Sequence, residues 1–308
     1  MAHTADIKIC FVGLGSIGQR HVKNLTAVAQ RRHINIQIDA LRHTNSGTPK
    51  EISTLLANQY FNSAVLGTYD WIFICNPSQN HYDTLKALKG KAKYFFIEKP
   101  VFTAAISQHD VESFGNVSKY YVACPLRYKA VYREIVAYIK SHKIYGARII
   151  CSSYLPEWRP NVDYRVLYSA KKESGGVKLD LIHEFDYMID LFGFPKSSCL
   201  YEGKVSNLEV ESCDVVSFIG QYPDKLVEMH LDYFGRKAQR YIELFSTDET
   251  KIFDFLNDDE DRNASYTREI EAFVDIATSR YPNVNDLARA NNVLNFITNQ
   301  MGDRNVER

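Results

Sequence analysis

The sequence has no excess of charge of either sign. Its 308 residues include 37 Lys plus Arg and 37 Asp plus Glu, so the formal net charge at pH 7 is zero. Proteins that bind nucleic acid or an anionic membrane surface usually carry a basic excess. We therefore expect no nucleic acid and no membrane as a partner, and a small molecule as the ligand.

The sequence also lacks long apolar runs and paired cysteines. No apolar stretch reaches the roughly 18 residues of a membrane helix, and MAHTADIKIC has no basic start followed by an apolar segment. The six cysteines form no C-x-x-C pair, so no metal site is expected. We predict a cytoplasmic protein. Four cysteines lie in apolar, strand-like runs and are predicted to be reduced core residues: Cys10, Cys75, Cys124 and Cys151.

The first half of the chain alternates short apolar runs with helical patterns. The run 7–12 suits a buried parallel strand and leads into a G-x-G-x-x-G motif. A strand, this motif and a helix, in that order, are typical of a dinucleotide site, where a pyrophosphate binds at the helix N-terminus. The motif residues predicted to bind the cofactor are Gly13, Gly15, Ser16, Ile17 and Gly18. Ile17, His21, Val22, Leu25 and Val28 continue at helical spacing.

A second predicted strand, INIQIDALR, bears on the choice between NAD and NADP. An acidic residue normally closes this strand and binds the ribose 2'-hydroxyl of NAD. Asp39 is at about the right distance, but the strand continues through Leu41 and puts Arg42 at its tip. Arg42 suits a 2'-phosphate, so we favour NADP over NAD, although Arg42 could equally be a solvated loop residue. The residues after it are also polar: His43, Thr44, Asn45 and Ser46.

Polar residues follow two further predicted strands. ICNPSQNH places Asn76, Pro77 and His81 after the first, and YFFIEKP places Glu98 and Lys99 after the second. Ligands of open parallel sheets bind beyond the carboxyl ends of the strands. These five residues are therefore candidate cofactor-binding residues.

The second half of the chain carries strands in succession. Several of these strands alternate polar and apolar residues, as expected for an antiparallel sheet with one solvated face. We predict two domains, 1–123 for the nucleotide and 124–308 for the substrate and for oligomerisation. Helices are predicted at 129–141, 266–279 and 285–300, and the last of these can pack back on the nucleotide domain.

One predicted helix of the second half carries candidate chemistry. In ESGGVKLDLIHEFDYMIDLFG, Asp180 and His183 are three residues apart and would share one helical face. A histidine beside a carboxylate can accept a proton, although such pairs are also common on helix surfaces. The apolar face expected to be buried consists of Leu179, Ile182, Phe185, Ile189 and Phe192.

Three motifs in this order and spacing, FVGLGSIGQRHVKNL, ICNPSQNH and IEKP, resemble the Gfo/Idh/MocA oxidoreductases. The resemblance extends over nearly the whole chain. It implies an α/β fold with an N-terminal Rossmann doubly wound parallel sheet, and a C-terminal α+β domain with a large, mostly antiparallel open sheet. It also implies NADP or NAD as the cofactor.

The resemblance assigns roles to individual residues. Lys99, Asp180 and His183 match the catalytic group of the family, and a cis peptide is implied before Pro100. Glu98 would hold structure or the cofactor ribose. The spacing from Asp180 to His183 is one residue shorter than in the family pattern, so two neighbouring carboxylates compete for the role of Asp180. These competitors are Glu184 and Asp186.

The segment YLPEWRPNVDYRVLY contains the candidate substrate residues. Aromatic rings interleaved with arginines can stack on sugars and pair with carboxylate or phosphate, although a packed loop would look the same. The candidates are Tyr154, Trp158, Arg159, Tyr164 and Arg165, with Tyr168 nearby. The resemblance adds Arg127 near the nicotinamide and the substrate.

The combined prediction is an NAD(P)-dependent oxidoreductase acting on a hydroxyl or keto carbon of a sugar or nucleotide-sugar. His183 would take the hydroxyl proton and Lys99 would stabilise the alkoxide. Two alternatives stay open at this point: a dinucleotide-binding sensor or scaffold without turnover, and a reductase of an unsaturated or imine substrate. The resemblance also implies a homodimer or a homotetramer.

Overall fold

A computed structural model of the chain describes residues 6–43, 47–173, 175–257, 261 and 263–299. The chain divides into two compact units. The first unit is Met1–Pro125 with Arg262–Asn292, and the second is Leu126–Asp261 with Val293–Arg308. A segment from late in the sequence is therefore part of the first unit.

The strands, in chain order, are β1 Ile7–Val12, β2 Ile36–Leu41, β3 Asn58–Tyr60, β4 Tyr69–Ile74, β5 Ala92–Ile97, β6 Tyr120–Val122, β7 Ile144–Tyr154, β8 Ser197–Gly203, β9 Val215–Gln221, β10 Leu226–Asp232, β11 Phe234–Ser246 and β12 Thr250–Asp254. The α-helices are α1 Ser16–Arg31, α2 Lys50–Ser53, α3 His81–Leu88, α4 Gln108–Ser113, α5 Ala130–Ser141, α6 Val177–Asp180, α7 Ile182–Phe192, α8 Ala264–Ala277 and α9 Leu287–Asn299.

The first unit contains a six-stranded sheet in the order β3-β2-β1-β4-β5-β6, with every pair parallel. Strands buried on both faces need continuous apolar runs, which explains sequences such as WIFI in β4. In its core, the ring of Phe73 stacks on Phe11 and on Phe96. The strand order reverses at β1, between β2 and β4, where open sheets of this kind bind ligands.

Helix α8 belongs to the first unit and packs beside α1. The guanidinium of Arg32 forms an ion pair with Asp275 at 2.6 Å, and Asn24 exchanges two side-chain hydrogen bonds with Asn263. These contacts fix α1 from the side away from its N-terminus.

The second unit contains the other six-stranded sheet, in the order β12-β11-β7-β10-β9-β8. Strands β7 and β10 are parallel and the other pairs are antiparallel, so the predicted mostly antiparallel sheet is confirmed. Helix α7 packs on the sheet through Phe185, whose ring meets Phe218 edge-on at 5.5 Å. Strands β3 and β12 were not anticipated from the sequence.

The helix predicted around Asp180 and His183 is interrupted. Leu181 has φ −98° and ψ 27°, which separates α6 from α7, so the single continuous helix was wrong. The predicted apolar face is nevertheless buried at Leu179, Ile182, Phe185 and Ile189. The late helices are close to their predicted ranges, and Gln300 lies outside the described residues.

All six cysteines lie among the described residues and none of them forms a disulfide there; the four predicted core cysteines are buried. Burial and the nearby Asp39 carboxylate raise the pKa of the Cys10 thiol to about 12. Within the described ranges, no helix combines the length and the apolar character required to cross a membrane.

Candidate cofactor and catalytic sites

Two glycines of the turn after β1 have no room for a side chain. Gly13 has φ +93°, and a Cβ there would lie 2.8 Å from the backbone N of Asn76. A Cβ on Gly18 would lie 2.3 Å from the carbonyl oxygen of Gly13. The first glycine therefore permits the tight turn and the other brings α1 against it, as the motif predicts.

Gly15 differs from both, because a Cβ there would meet nothing within 4 Å. Gly15 is the N-cap of the 16-residue helix α1, which has no side-chain cap and no acidic residue in its first turn. The first N–H groups of a helix need acceptors and carry partial positive charge. The exposed turn of Gly15 and Ser16 therefore fits a phosphate group of a dinucleotide.

At the edge next to β1, Asp39 is buried within β2. Its Oδ1 accepts a hydrogen bond from Asn58 Nδ2 at 2.9 Å, and its Oδ2 accepts one from the Tyr69 hydroxyl at 3.0 Å. Burial, with Cys10 and Asp39 alongside, raises the pKa of Tyr69, so this hydroxyl stays a donor. Both carboxylate oxygens are thus used inside the sheet.

Arg42 follows the last residue of β2, as predicted, and its Nη1 donates to Gln59 Oε1 at 3.0 Å. The polar residues Thr44, Asn45 and Ser46 lie outside the described residues. The strand end adjacent to β1 therefore presents a guanidinium, while the nearest acid points into the sheet.

Asn76 and Pro77 follow β4. The Asn76 amide nitrogen donates to Thr84 Oγ1 at 2.8 Å, whereas its Oδ1 is buried and has no hydrogen-bond partner among the described residues. A buried acceptor left without a donor is costly, so this oxygen suits a donor from a bound ligand.

His81 is buried below this turn. Its Nδ1 lies 3.0 Å from the carbonyl oxygen of Val101 and its Nε2 lies 2.9 Å from that of Asn76. Burial lowers the pKa of His81 despite these two carbonyls. Both ring nitrogens thus face backbone carbonyls of the Asn76 turn and of Val101, and the contact of His81 with the cofactor stays a prediction.

Glu98 and Lys99 follow β5, and the Lys99–Pro100 peptide is cis, as the resemblance implies. Glu98 is buried; its Oε1 lies 2.5 Å from His21 Nε2, and its Oε2 accepts the Lys99 backbone N–H at 3.2 Å. Burial alone would raise the pKa of Glu98. The hydrogen bond from His21 and the Lys99 ammonium outweigh burial and hold that pKa below its ordinary value.

His21 is a residue that sequence reasoning missed as part of this site. It was placed only on the helical pattern of α1, between apolar neighbours. Its signal was a titratable side chain at a position of the helix face that otherwise carries valine and leucine. Such a residue requires a buried partner, and the sequence did not identify Glu98 as that partner.

In the second unit, Asp180 is buried and accepts a hydrogen bond from the Tyr233 hydroxyl at 2.5 Å. The Trp158 ring meets Tyr233 edge-on at 5.2 Å, and its Nε1 donates to Ser153 Oγ. Burial and the Asp180 carboxylate raise the pKa of Tyr168, which places that hydroxyl beside Asp180 as well. Asp180, Trp158, Tyr168 and Tyr233 form one group, called here the aromatic–acid cluster.

His183 lies on the first turn of α7 and is almost fully buried. The two carboxylates that compete with Asp180 have other partners. Glu184 is 0% exposed and forms an ion pair with Arg240 at 2.6 Å, and Asp186 forms one with Arg127 at 2.6 Å. These pairs hold α7 in place and leave Asp180 as the carboxylate grouped with aromatic side chains.

Arg127 is enclosed by carboxylates of α7. Its Nε and Nη2 donate to the two oxygens of Asp186, and its Nη1 donates to Asp190 at 2.6 Å. The hydroxyl of Tyr132 also donates to Asp190. This arrangement anchors α7, and the substrate contact implied for Arg127 by the resemblance stays a prediction.

The other loop candidates are dispersed. The guanidinium of Arg236 lies 3.7 Å above the Tyr154 ring.

The Tyr164 hydroxyl accepts a hydrogen bond from the Glu209 backbone N–H, and Arg165 forms ion pairs with Asp163 and Glu209 at the surface. Arg159 is exposed, and its positive charge offsets part of the rise in the pKa of Tyr168. Of the predicted substrate residues, the structure places Trp158 against Tyr233, whose hydroxyl donates to Asp180, and holds Tyr164 and Arg165 in surface contacts.

Residues 7–115 match the family model described as an oxidoreductase family with an NAD-binding Rossmann fold, Gfo/Idh/MocA. A curated relative from Bacillus subtilis, the uncharacterized oxidoreductase YrbE, is 24% identical over 188 residues. That alignment covers 59% of this chain and 53% of the relative, so it spans about half the length of the curated protein.

Solved structures share the fold of the whole chain at low identity. A myo-inositol dehydrogenase from Corynebacterium glutamicum has a TM-score of 0.76 at 14% identity, covering 96% of this chain and 95% of that one. A scyllo-inositol dehydrogenase from Lactobacillus casei, with bound NAD(H) and scyllo-inositol, has a TM-score of 0.72 at 15% identity, covering 94% of each chain.

A UDP-N-acetylglucosamine 3-dehydrogenase from Acidithiobacillus ferrooxidans has a TM-score of 0.72 at 16% identity, with 96% of this chain and 97% of that one covered. At such identities these likenesses show the fold. The match to the family model includes the glycine turn and the strand ends described above. Over residues 7–115, the chain is similar to the Gfo/Idh/MocA oxidoreductases, a family with an NAD-binding Rossmann fold.

Proposed function

We propose that this oxidoreductase transfers a hydride between a nicotinamide cofactor and a hydroxyl or keto carbon of a sugar or nucleotide-sugar. The observation that carries the proposal is the turn after β1, where two glycines are closed to any side chain and Gly15 faces open space at an uncapped helix N-terminus. That geometry suits a pyrophosphate and serves no packing purpose at Gly15.

Two side chains take the acid–base roles in this proposal. Lys99 follows a core strand of the first unit, and its ammonium would stabilise the negative charge on a substrate oxygen. His183, in the second unit, would accept the hydroxyl proton in oxidation and return it in reduction. The cofactor supplies the hydride chemistry, and the protein supplies orientation and charge.

The aromatic–acid cluster supports a polyhydroxyl substrate. Tyr233 and Tyr168 lie beside the Asp180 carboxylate, and Trp158 packs on Tyr233; aromatic faces beside a carboxylate suit the apolar faces and the hydroxyl groups of a sugar ring. The inositol and UDP-N-acetylglucosamine dehydrogenases that share the fold act on such compounds. By this proposal, Asp180 binds a ring hydroxyl or orients His183.

For the cofactor, we propose a preference for NADP over NAD. The support is that Asp39 is committed to Asn58 and Tyr69 inside the sheet, while Arg42 stands at the strand end. A guanidinium there suits the 2'-phosphate, and no carboxylate of β2 is placed to bind a 2'-hydroxyl.

We also propose that residues 124–308 bind the substrate and mediate self-association as a homodimer or homotetramer. In the second unit, the strands β8, β9 and β10 carry exposed apolar side chains, among them Tyr201, Ile219 and Leu226. Light scattering that reports a monomer at all concentrations would contradict this assembly.

The test of the proposed activity is a spectrophotometric assay of nicotinamide oxidation or reduction with both cofactors. The panel contains inositols, aldoses, ketoses and nucleotide-sugars, together with simple alcohols and non-sugar ketones. We expect turnover of one or more sugar-type compounds, and we expect Lys99→Ala to lose that turnover. The surface control Lys89→Ala should keep it. Turnover of only the simple alcohols or the non-sugar ketones would overturn the sugar assignment.

A further inference from the structure

His21 is a polar side chain placed in an apolar core. It is 0% exposed, on the inner face of α1, and its ring lies 4.9 Å from the Phe96 ring, edge-on, with Phe73 and Tyr266 farther out. A buried polar ring in such surroundings is destabilising unless it is hydrogen-bonded. Its partner is Glu98, through Nε2 and Oε1 at 2.5 Å.

The two ring nitrogens of His21 are in different environments. Nε2 faces the Glu98 carboxylate, whereas Nδ1 is buried with no hydrogen-bond partner among the residues that the structure describes. A proton on Nδ1 would be an unsatisfied buried donor. A hydrogen on Nε2 therefore fits this site, and from that nitrogen His21 donates to the Glu98 carboxylate.

The Glu98 carboxylate is held on both sides. One oxygen is bound by His21 on α1, and the other accepts the backbone N–H of Lys99 at 3.2 Å. The helix that begins at the glycine turn is thus connected, through one carboxylate, to the main chain from which the Lys99 side chain starts.

Other titratable groups surround this carboxylate. Cys75 at the end of β4 and His81 on α3 lie within its electrostatic influence, and burial raises the pKa of Cys75, so it is a neutral thiol. The ring centroids of His21 and Tyr266 of α8 are 6.2 Å apart, and the Arg20 guanidinium lies 4.6 Å from the Tyr266 ring centroid. The His21 ring and the Lys99 backbone each donate a hydrogen bond to one of the carboxylate oxygens.

We propose that His21 is a positioning residue for Lys99: through its hydrogen bond to Glu98 it fixes the carboxylate that holds the Lys99 main chain and stands as an anion beside the Lys99 ammonium. This inference rests on the proposed function, in which Lys99 stabilises charge on the substrate oxygen. Lys99 itself meets the substrate oxygen, and His21 acts only through Glu98.

The test compares His21→Leu with His21→Gln. Gln can place an amide donor near the position of Nε2, whereas Leu fills the site and leaves Glu98 without that donor. We expect His21→Leu to lower kcat by roughly tenfold to a hundredfold, the range for losing a hydrogen bond to a charged group. The Kd for the reduced cofactor should stay near that of the wild type, and Gln should restore most of kcat.

A second readout needs no substrate. In the free protein labelled with carboxyl ¹³C glutamate, the Glu98 resonance should titrate at a higher pH in His21→Leu than in the wild type, and the Lys99 amide should exchange faster with solvent. Val22→Ala, a fully buried neighbour on the same helix, is the matched control. It should reduce stability without changing the Glu98 titration, the Lys99 amide or kcat.

Three outcomes would overturn the inference: an unchanged Glu98 titration in His21→Leu, an equal effect in Val22→Ala, or no rescue of kcat by Gln. If His21→Leu does not fold, Glu98→Gln takes its place, because it removes the anion and keeps the shape; unchanged kcat there also contradicts the inference. A wild-type protein that binds no nicotinamide cofactor would refute the proposed function instead, while the titration would still report on His21 and Glu98.

Discussion

The Tyr69 hydroxyl donates a hydrogen bond to Asp39 Oδ2 over 3.0 Å, and this contact commits the only acid of β2 to the interior of the parallel sheet. Asn58 occupies the other oxygen. The residue that would normally recognise the 2'-hydroxyl of NAD is thus engaged elsewhere in this geometry, and the first residue beyond the strand is Arg42.

A substitution at Arg42 should separate the two cofactors. Arg42→Ala is expected to weaken NADPH binding by roughly tenfold to a hundredfold, as for loss of a charge-assisted contact with phosphate, and to leave NADH binding nearly unchanged. Isothermal titration with each cofactor measures this. Arg133→Ala, at an exposed arginine of α5, is the control. If Arg42→Ala weakens the binding of both cofactors equally, or of neither, Arg42 does not select NADP. Recognition of NAD by Asp39 would then be the better explanation.

Substitutions at Gly15 and Gly18 should have different effects, one on cofactor affinity and the other on stability. Gly15→Ala adds a methyl group that meets no protein atom within 4 Å, so stability should hold while cofactor affinity falls severalfold or more. Gly18→Ala places its methyl 2.3 Å from a backbone oxygen and should cost about 1–3 kcal/mol of unfolding free energy. Urea denaturation and cofactor titration of both variants check this, and a stable Gly15→Ala protein with full affinity would contradict it.

The ion pair of Glu184 and Arg240 is predicted to be structural. Arg240→Ala leaves a carboxylate that is 0% exposed without its partner, and breaking a buried pair costs about 3–5 kcal/mol. Arg148→Ala, which removes an exposed arginine bound to Glu228 and Glu243, should change stability little. Urea denaturation compares the two. If both variants lose equally little unfolding free energy, Glu184 does not need its ion pair for stability. Glu184 would then again be a candidate for the catalytic carboxylate.

His81 should make stability depend on pH. Burial lowers its pKa below the ordinary 6.5, so the folded protein favours the neutral ring. The contribution is then present above about pH 6.5, and it is lost as the pH falls toward the folded pKa, because the unfolded chain takes up the proton first.

The comparison for this effect is His81→Gln. Unfolding free energy measured between mildly alkaline and mildly acidic pH should fall more steeply in the wild type than in His81→Gln, whose side chain does not titrate. His109→Gln, at an exposed histidine, should keep the wild-type slope. Parallel slopes in all three proteins would show that His81 does not titrate differently on folding.

Much of the fold was predictable because periodicity and glycine spacing are local. The strand 7–12, the tip of β2 at Arg42 and the end of β5 at Glu98 were all placed from short patterns, and the structure has them there. Parallel strands buried on both faces leave apolar runs that are easy to recognise. The short edge strands β3 and β12 lack such runs and went unrecognised.

The rest depended on contacts that sequence spacing does not show. The break at Leu181 falls inside a continuous amphipathic pattern, so local reasoning joined α6 to α7. The pairing of His21 with Glu98 joins residues 77 positions apart. Arg127 was assigned to substrate by resemblance, and only the structure shows that Asp186 and Asp190 surround its guanidinium.

The most direct test of the account is a fluorescence titration of the purified protein with NADH and NADPH, after removal of any cofactor carried through purification. The account predicts saturable binding, tighter for NADPH, and weakened binding in the stable Gly15→Ala variant. Binding of neither cofactor by the folded wild-type protein would contradict the site built on Gly13, Gly15 and Gly18.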